Sequence, residues 1–217
     1  MSLSIDLYFS FRSPYSYLAT PQLDELRRKY DFDIVLKVVR PIAVRIPGFF
    51  EQVNPLWPPY LARDTWRIAE RLGIPYRWPR PDPIVMSMAT REVAADQPYI
   101  MGVSRMGAAA QRAGHGFDFA REASRVIWSG QVDNWHEGEH LADAARAAGL
   151  DPAALMRTVE TETASLDAEI AQNETDQTAA GHWGVPLMVF QGEPFFGQDR
   201  IEDLIWKMKK LGLAERA

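Results

Sequence analysis

Five apolar residues, Leu3, Ile5, Leu7, Phe9 and Phe11, alternate with Ser4, Asp6, Tyr8 and Ser10, and at Ser13-Pro14 the chain changes abruptly to helical spacing. Period two specifies a strand with alternate side chains facing a core. Ser13 then reads as an N-cap and Pro14 as the first helical residue, where a missing N–H costs nothing. Tyr15, Leu18, Ala19, Gln22, Leu23, Leu26 and Tyr30 carry the helix on, with Pro21 inside it as an expected kink. Phe32–Val39, rich in Ile, Val and Leu, reads as a second strand. The chain therefore opens as a β-α-β unit.

The period changes back only near the end. Val185-Pro186-Leu187-Met188-Val189-Phe190 reads as a buried strand, Gln191-Gly192-Glu193 as a turn and Pro194-Phe195-Phe196 as a returning strand. An amphipathic helix follows, with Ile201, Leu204, Ile205, Met208 and Leu211 on one face. Between these ends the spacing is helical. Helices are expected at Tyr60–Leu72, Ile84–Asp96, Pro98–Arg112, Phe117–Ser129, Glu137–Ala148 and Pro152–Gln177, the last with a break. The proline-rich stretch 41–59 is expected to be an irregular loop, and its Phe49, Phe50 and Trp57 read as the wall of a site. Joining the ends gives an α/β chain of thioredoxin-fold layout, β-α-β … β-β-α, with a large all-helical insertion. Residues 1–58 and 178–217 form the thioredoxin-like domain and 59–177 the helical one. The insertion is expected to sit over the end of the sheet that carries Ser13.

Composition excludes several function classes. A net charge of -5 argues against a nucleic-acid-binding surface. Zero cysteines among 217 residues exclude disulfides, cysteine-ligated zinc and redox chemistry on the protein's own thiols. No run reaches the roughly 20 apolar residues of a membrane span. Asp6 and Arg12 interrupt any signal-peptide pattern, so a cytoplasmic protein with no membrane partner is expected.

The missing cysteines make Ser13-Pro14-Tyr15-Ser16 informative. Two serines occupy the ends of a unit that, with cysteines, would be the Cys-Pro-x-Cys of a thiol–disulfide oxidoreductase. A helix N-terminus has unpaired N–H groups and a partial positive charge, and thiolates are stabilised there. Here the thiolate must come from a ligand, with the Ser13 hydroxyl donating to it. The helix end contributes up to ~2 kcal/mol and a hydrogen bond to a charged group ~1.5–3 kcal/mol, both reduced by desolvation. A net lowering of ~2 pKa units takes a thiol from about 3% to about three-quarters thiolate at pH 7. Ordinary capping is the alternative for Ser13 alone. Val185-Pro186 adds to the ligand reading, because proline opening a buried strand cannot donate to the ladder. A cis bond there would turn the Val185 backbone toward a peptide-like thiol. For Ser16 only packing or a local hydrogen bond is expected.

Three ordered motifs carry a resemblance: Phe9-Ser10-Phe11-Arg12-Ser13-Pro14-Tyr15-Ser16-Tyr17-Leu18, Gly184-Val185-Pro186, and Phe196-Gly197-Gln198-Asp199-Arg200. With these the chain resembles the 2-hydroxychromene-2-carboxylate isomerase and kappa-class glutathione transferase family over nearly its whole length. The resemblance implies glutathione as the thiol and a small hydrophobic or aromatic molecule as second substrate. Ser13 would be the catalytic residue at the sulfur. Val185, with Pro186, would pair with the cysteinyl backbone, and Gln198 and Asp199 would hold the γ-glutamyl end. A cap role for Asp199 is the alternative. The lysine that the transferase branch carries before the Tyr60–Leu72 helix is absent, and Trp57 lies near there. The glycyl carboxylate is thus unassigned, with Arg12, Arg40 and Arg45 as candidates by charge and region. Arg12, Phe49, Asn54 and Trp57 are the substrate-binding candidates. An isomerase, a conjugating transferase and a non-enzymatic glutathione-binding module all stay open, and the family makes a homodimer an expectation.

One motif competes. His136-Glu137-Gly138-Glu139-His140 matches H-E-x-x-H, which on a helix would present two zinc ligands and a general base, with His115 or His182 as third ligand by elimination. Gly138 weakens that helix, and the other reading is a polar first turn with Glu137 and Glu139 near the positive helix end.

Overall fold

The computed structural model describes residues 3–87 and 89–216. Met1, Ser2, Met88 and Ala217 lie outside them. The chain opens with β1 (Leu3–Phe9), α1 (Pro14–Lys29) and β2 (Phe32–Val38). It closes with β3 (Leu187–Phe190), β4 (Glu193–Phe196), a 3-10 turn at Gln198–Arg200 and α10 (Ile201–Lys210). The four strands form one sheet in the order β2-β1-β3-β4. β1 and β2 run parallel from Leu3↔Phe32 to Phe9↔Val38, while β1–β3 and β3–β4 are antiparallel. This is the β-α-β … β-β-α layout expected of a thioredoxin fold. β1 is central and covered on both faces. Ile5, Leu7 and Phe9 join the main core, and Tyr8 packs with Val39 and Leu187 on the other side.

Pro21 lies inside α1 without ending it. Proline cannot serve the carbonyl four residues back, and here that carbonyl, Tyr17 O, accepts from Thr20 Oγ1 at 2.8 Å. The stretch after β2 is more ordered than expected. It holds α2 (Ile42–Arg45) and α3 (Phe49–Gln52), and α4 (Trp57–Leu72) starts three residues early because Pro58 and Pro59 fit a first helical turn. Gly73 ends α4 with φ +65°.

The helix expected at Ile84–Asp96 does not form. Met86 and Val93 make an antiparallel bridge, and Arg91 has φ +60°. The cause is the buried Gln97, whose amide takes both backbone groups of Val85: Val85 N–H donates to Oε1 at 2.8 Å and Nε2 donates to Val85 O at 2.9 Å. A side chain that satisfies the backbone this way competes directly with helix formation.

Five further helices follow: α5 (Pro98–Arg112), α6 (Gly116–Trp128), α7 (His140–Ala147), α8 (Pro152–Thr161) and α9 (Thr163–Ala179). The expected break after Pro152 falls at Glu162. The helical block covers the Ser13 end of the sheet. Trp128 Nε1 donates to Phe11 O at 2.9 Å, and Tyr15 Oη donates to Asp64 at 2.8 Å. At Gly107 of α5 an added Cβ would lie 2.8 Å from the Phe11 ring, so this approach requires glycine.

Candidate functional site

Ser13 caps α1 as its sequence position demands. Its Oγ accepts from the Ser16 N–H at 3.1 Å and donates to Val185 O at 3.4 Å. The second bond is long, so the hydroxyl is only weakly held and its proton can turn to a ligand. The Val185-Pro186 bond is cis. Among the described residues neither the Val185 nor the Tyr15 N–H has an acceptor. The helix tip and the β3 entrance thus present two free donors beside one hydroxyl. Ser16 is fully buried, and its own hydroxyl has no partner among the described residues.

A network of side chains holds the Val185 loop, and of its members Gln177 is the one to which sequence reasoning gave no role. Gln177, at the end of α9, donates from Nε2 to Gly184 O at 2.8 Å and accepts from Arg45 Nη1 at 3.1 Å. Arg45 Nη2 donates to Trp183 O at 3.0 Å. The Gly184 N–H donates to His182 Nδ1 at 2.9 Å, and the His182 ring stacks on Phe196 with centroids 3.8 Å apart. Burial lowers the His182 pKa. The bond from Gly184 also needs a lone pair on Nδ1, which the protonated ring lacks. At Gly184 an added Cβ would lie 2.5 Å from the Phe196 ring.

The loop is tied in turn to the 3-10 turn. Gly197 N–H donates to Pro186 O at 2.9 Å. Gln198 is buried, and its Oε1 accepts from Gln22 Nε2 of α1 at 3.2 Å. Gln198 is therefore oriented from the same helix that Ser13 caps. The Asp199 carboxylate is exposed, 3.4 Å from Arg200. Ser13, Val185, Pro186, Gln198 and Asp199 are brought to one rim of the sheet.

Of the substrate candidates, Arg12 is held as a clasp. Its Nε and Nη2 donate to the two Asp82 oxygens at 2.8 and 3.0 Å, and its guanidinium lies over Phe50 and Trp78. Phe49 meets Phe50 and Trp57 edge-on at 5.4 and 6.0 Å. Trp78 packs edge-on against Trp128, which stacks on Tyr76. An aromatic wall therefore stands beside Arg12, one residue from Ser13. Asn54 accepts from Leu56 N–H at 3.0 Å and shapes the entrance to α4. Arg40 forms a paired bridge with Glu174 at 2.8 and 2.7 Å. Arg40 and Arg45, proposed by charge and region, are thus held by groups of the scaffold. Asp82 and Trp78 were missed because the prolines around them read only as punctuation. Gln177 and Gln22 carry no local signal, since their partners lie far away in sequence.

The H-E-x-x-H reading fails on backbone grounds. Gly138 has φ +60° and α7 begins only at His140, so His136 and His140 do not share a helix face. His136 instead packs against Tyr99, with ring centroids 4.2 Å apart. Glu137 and Glu139 precede the helix rather than forming its first turn. Among the described residues no group of three or more metal-binding side chains is gathered.

Comparison with known proteins agrees with this architecture. The family model for DSBA-like thioredoxin domains matches residues 4–208. A 2-hydroxychromene-2-carboxylate isomerase of Sphingobium xenophagum is 27% identical over 208 residues, covering 94% of this chain and 97% of that protein. A solved structure of 2-hydroxychromene-2-carboxylate isomerase superposes with a TM-score of 0.68 at 20% identity, covering 96% of each chain. The cytosolic disulfide reductase DsbM of Pseudomonas aeruginosa, solved with GSH, superposes with a TM-score of 0.59 at 15% identity, covering 96% of this chain and all of that one.

Proposed function

The chain belongs to the DSBA-like thioredoxin domain family, and we propose that it acts within that fold as a glutathione-dependent isomerase of the 2-hydroxychromene-2-carboxylate isomerase type. The observation that carries the proposal is the weakly held Ser13 hydroxyl at the tip of α1, facing the cis Val185-Pro186 loop in a chain with no cysteine. Thiol–disulfide exchange on its own thiols is closed to such a protein. The named isomerase relative supports the reaction class.

The residues present suit a thiol tripeptide. The free Val185 N–H and the adjoining carbonyl can pair with a cysteinyl backbone as one more strand would. The exposed Asp199 carboxylate can receive an ammonium, and the turn at Gln198 can receive the neighbouring carboxylate. Bound there, glutathione supplies a thiolate for reversible addition to an unsaturated carbon, which makes a locked double bond rotatable. Ser13 would donate its proton to the sulfur while the Ser16 N–H keeps its oxygen in place. The α1 N-terminus adds the favourable field. The rings of Phe49, Phe50, Trp57 and Trp78 would wall off water and take a flat hydrophobic substrate.

Calorimetric titration with reduced glutathione tests the reading. Wild-type protein should bind, and Ser13→Ala and Asp199→Ala should bind more weakly. Ser13→Ala should also raise the pKa of the bound thiol by ~1–2 units, seen as ultraviolet thiolate absorbance. Absence of binding by the wild type refutes the proposal. Binding followed by accumulation of a stable adduct identifies a transferase instead.

A further inference from the structure

The clasp at Arg12 leaves one edge of its guanidinium unused. A guanidinium carries five N–H donors in one plane. Nε and Nη2 each give one to Asp82. Nη1 has no partner among the described residues, and unlike the Nε atoms of Arg45, Arg77 and Arg121 it is not sealed from solvent. The edge between Nη1 and the outer Nη2 hydrogen is therefore open. Asp82 has no further use for it. Its Oδ1 also accepts from the Ile84 N–H at 3.0 Å and its Oδ2 from Trp78 Nε1 at 3.1 Å, so each carboxylate oxygen already has two donors. The backbone is held as well. Ser13 N–H donates to Ser10 O at 3.0 Å, and Trp128 Nε1 holds Phe11 O.

Paired bridges with Nη1 left over also occur at Arg40 with Glu174 and at Arg105 with Asp167. Neither of those guanidiniums lies over an aromatic ring among the described residues, whereas Arg12 Cζ is 5.6 Å from the Phe50 ring and 5.9 Å from that of Trp78. Arg12 also adjoins Ser13, and only 16% of its side chain is exposed. A guanidinium fixed before a ligand arrives loses little freedom on binding. Flanked by rings, it attracts an anion more strongly than it would in open water. The same rings offer a flat face to the carbon skeleton that carries the anion. We propose that the open edge of Arg12 receives a carboxylate at the Ser13 site through two parallel N–H···O bonds, with Asp82 as the positioning residue behind it. This rests on the reading of that site as one for glutathione and a flat second substrate, and it adds the charge that one of them presents there. Two carboxylates qualify, one on the second substrate and the glycyl carboxylate of glutathione.

The probes are 2-naphthoate and its neutral counterpart 2-naphthamide, titrated calorimetrically into the full chain without glutathione. Wild type should bind the acid about tenfold more tightly than the amide, the worth of a hydrogen bond to a charged group. Added salt should shrink that ratio. Arg12→Gln should bring it to about one and leave the amide affinity within about twofold of wild type. A clasp with no ligand role predicts instead that both probes weaken together. Should Arg12→Gln not fold, the double variant Arg12→Gln, Asp82→Asn removes both charges and repeats the test. Two further titrations separate the sources of the carboxylate. Unchanged 2-naphthoate affinity at saturating glutathione, with equal affinity for glutathione and its glycyl ethyl ester, assigns the edge to the second substrate. Competition between 2-naphthoate and glutathione, with an Arg12-dependent loss of about tenfold on esterification, assigns it to the glycyl end. Equal affinity of wild type for acid and amide overturns the proposal, as does an acid preference that survives in a folded Arg12 variant. An intact, Arg12-dependent acid preference without glutathione binding would refute the glutathione reading and uphold this one.

Discussion

Replacing Gln177 with methionine keeps the length and apolar stem of the side chain and removes both hydrogen-bonding ends. Gln177 is fully buried. Its Nε2 is the only donor to Gly184 O among the described residues, at 2.8 Å, and Gly184 is itself buried. Leaving that carbonyl unpaired costs ~1–3 kcal/mol. Arg45 Nη1 loses its 3.1 Å acceptor as well. Burial already lowers the pKa of this guanidinium, and its Nε has no partner among the described residues. Arg45 keeps its bond to Trp183 O, so the second loss should fall at the lower end of the same range. Together the two losses come to ~2–4 kcal/mol.

Urea unfolding followed by tryptophan fluorescence reads this directly. With a slope of ~2–3 kcal/mol/M, the midpoint should fall by about 1 M without a change of slope. Gln172→Met, at an exposed position on the same helix, should stay within ~0.5 kcal/mol of wild type. The loop held by Gln177 presents Val185, so the variant should also bind glutathione more weakly under conditions where it is folded. A midpoint shift under about 0.3 M, at unchanged slope, would show that water replaces both bonds and that Gln177 does not hold the loop.

Two further perturbations probe the same rim. Gly197 has φ +104° and ψ +153°, and a Cβ there would press on Asp199 Oδ1; Gly197→Ala should cost ~1–3 kcal/mol in thermal or urea unfolding and weaken glutathione binding more than Ala substitution at exposed Glu202 does. For His182 the folded-state pKa is depressed by burial, so its contribution to stability is present above the unfolded value of about 6.5 and is lost as pH falls through the folded value. His182→Phe keeps the stack on Phe196 and should give a flatter stability profile below about pH 6.5 than wild type, in urea unfolding repeated across that range. Parallel profiles for the two proteins would rule out the assigned role of His182.

How much of this was legible in the sequence follows from where each signal resides. Strand β1, the Ser13 cap and Pro14 are local, and period-two alternation followed by Ser-Pro is enough to place them. The thioredoxin-fold layout could be reasoned because β-α-β and β-β-α ends admit few connections. The helix expected at Ile84–Asp96 failed for the opposite reason. Its apolar spacing is ambiguous, and the deciding group is the Gln97 amide, whose bonds to Val85 no periodicity reveals. The short helices α2 and α3 were hidden by the prolines around them. Those prolines mark where helices begin as well as where they cannot continue.

The candidate site divides along the same line. Ser13 and Val185-Pro186 stood out because a helix cap and the entrance to a buried strand each make a particular residue type informative, whereas Gln198-Asp199 entered through the family resemblance. The groups that hold them in register carry no such signal. Gln22 reaches Gln198 across 176 positions, Arg12 reaches Asp82 across 70, and Arg45 reaches Gln177 across 132. Charge and region made Arg12, Arg40 and Arg45 look like ligand contacts, and each guanidinium already has partners in the protein: Asp82, Glu174, and Gln177 with Trp183 O. Arg40 and Arg45 position the backbone, and Arg12 ties the Ser13 turn to the helical block. The helical insertion is therefore more than a cover. Through Asp82 on Arg12, Asp64 on Tyr15, Trp128 on Phe11 and Gln177 on Gly184, it sets both sides of the gap that Ser13 faces. A substitution in any of these four residues should reach the site through the backbone, without touching whatever binds there.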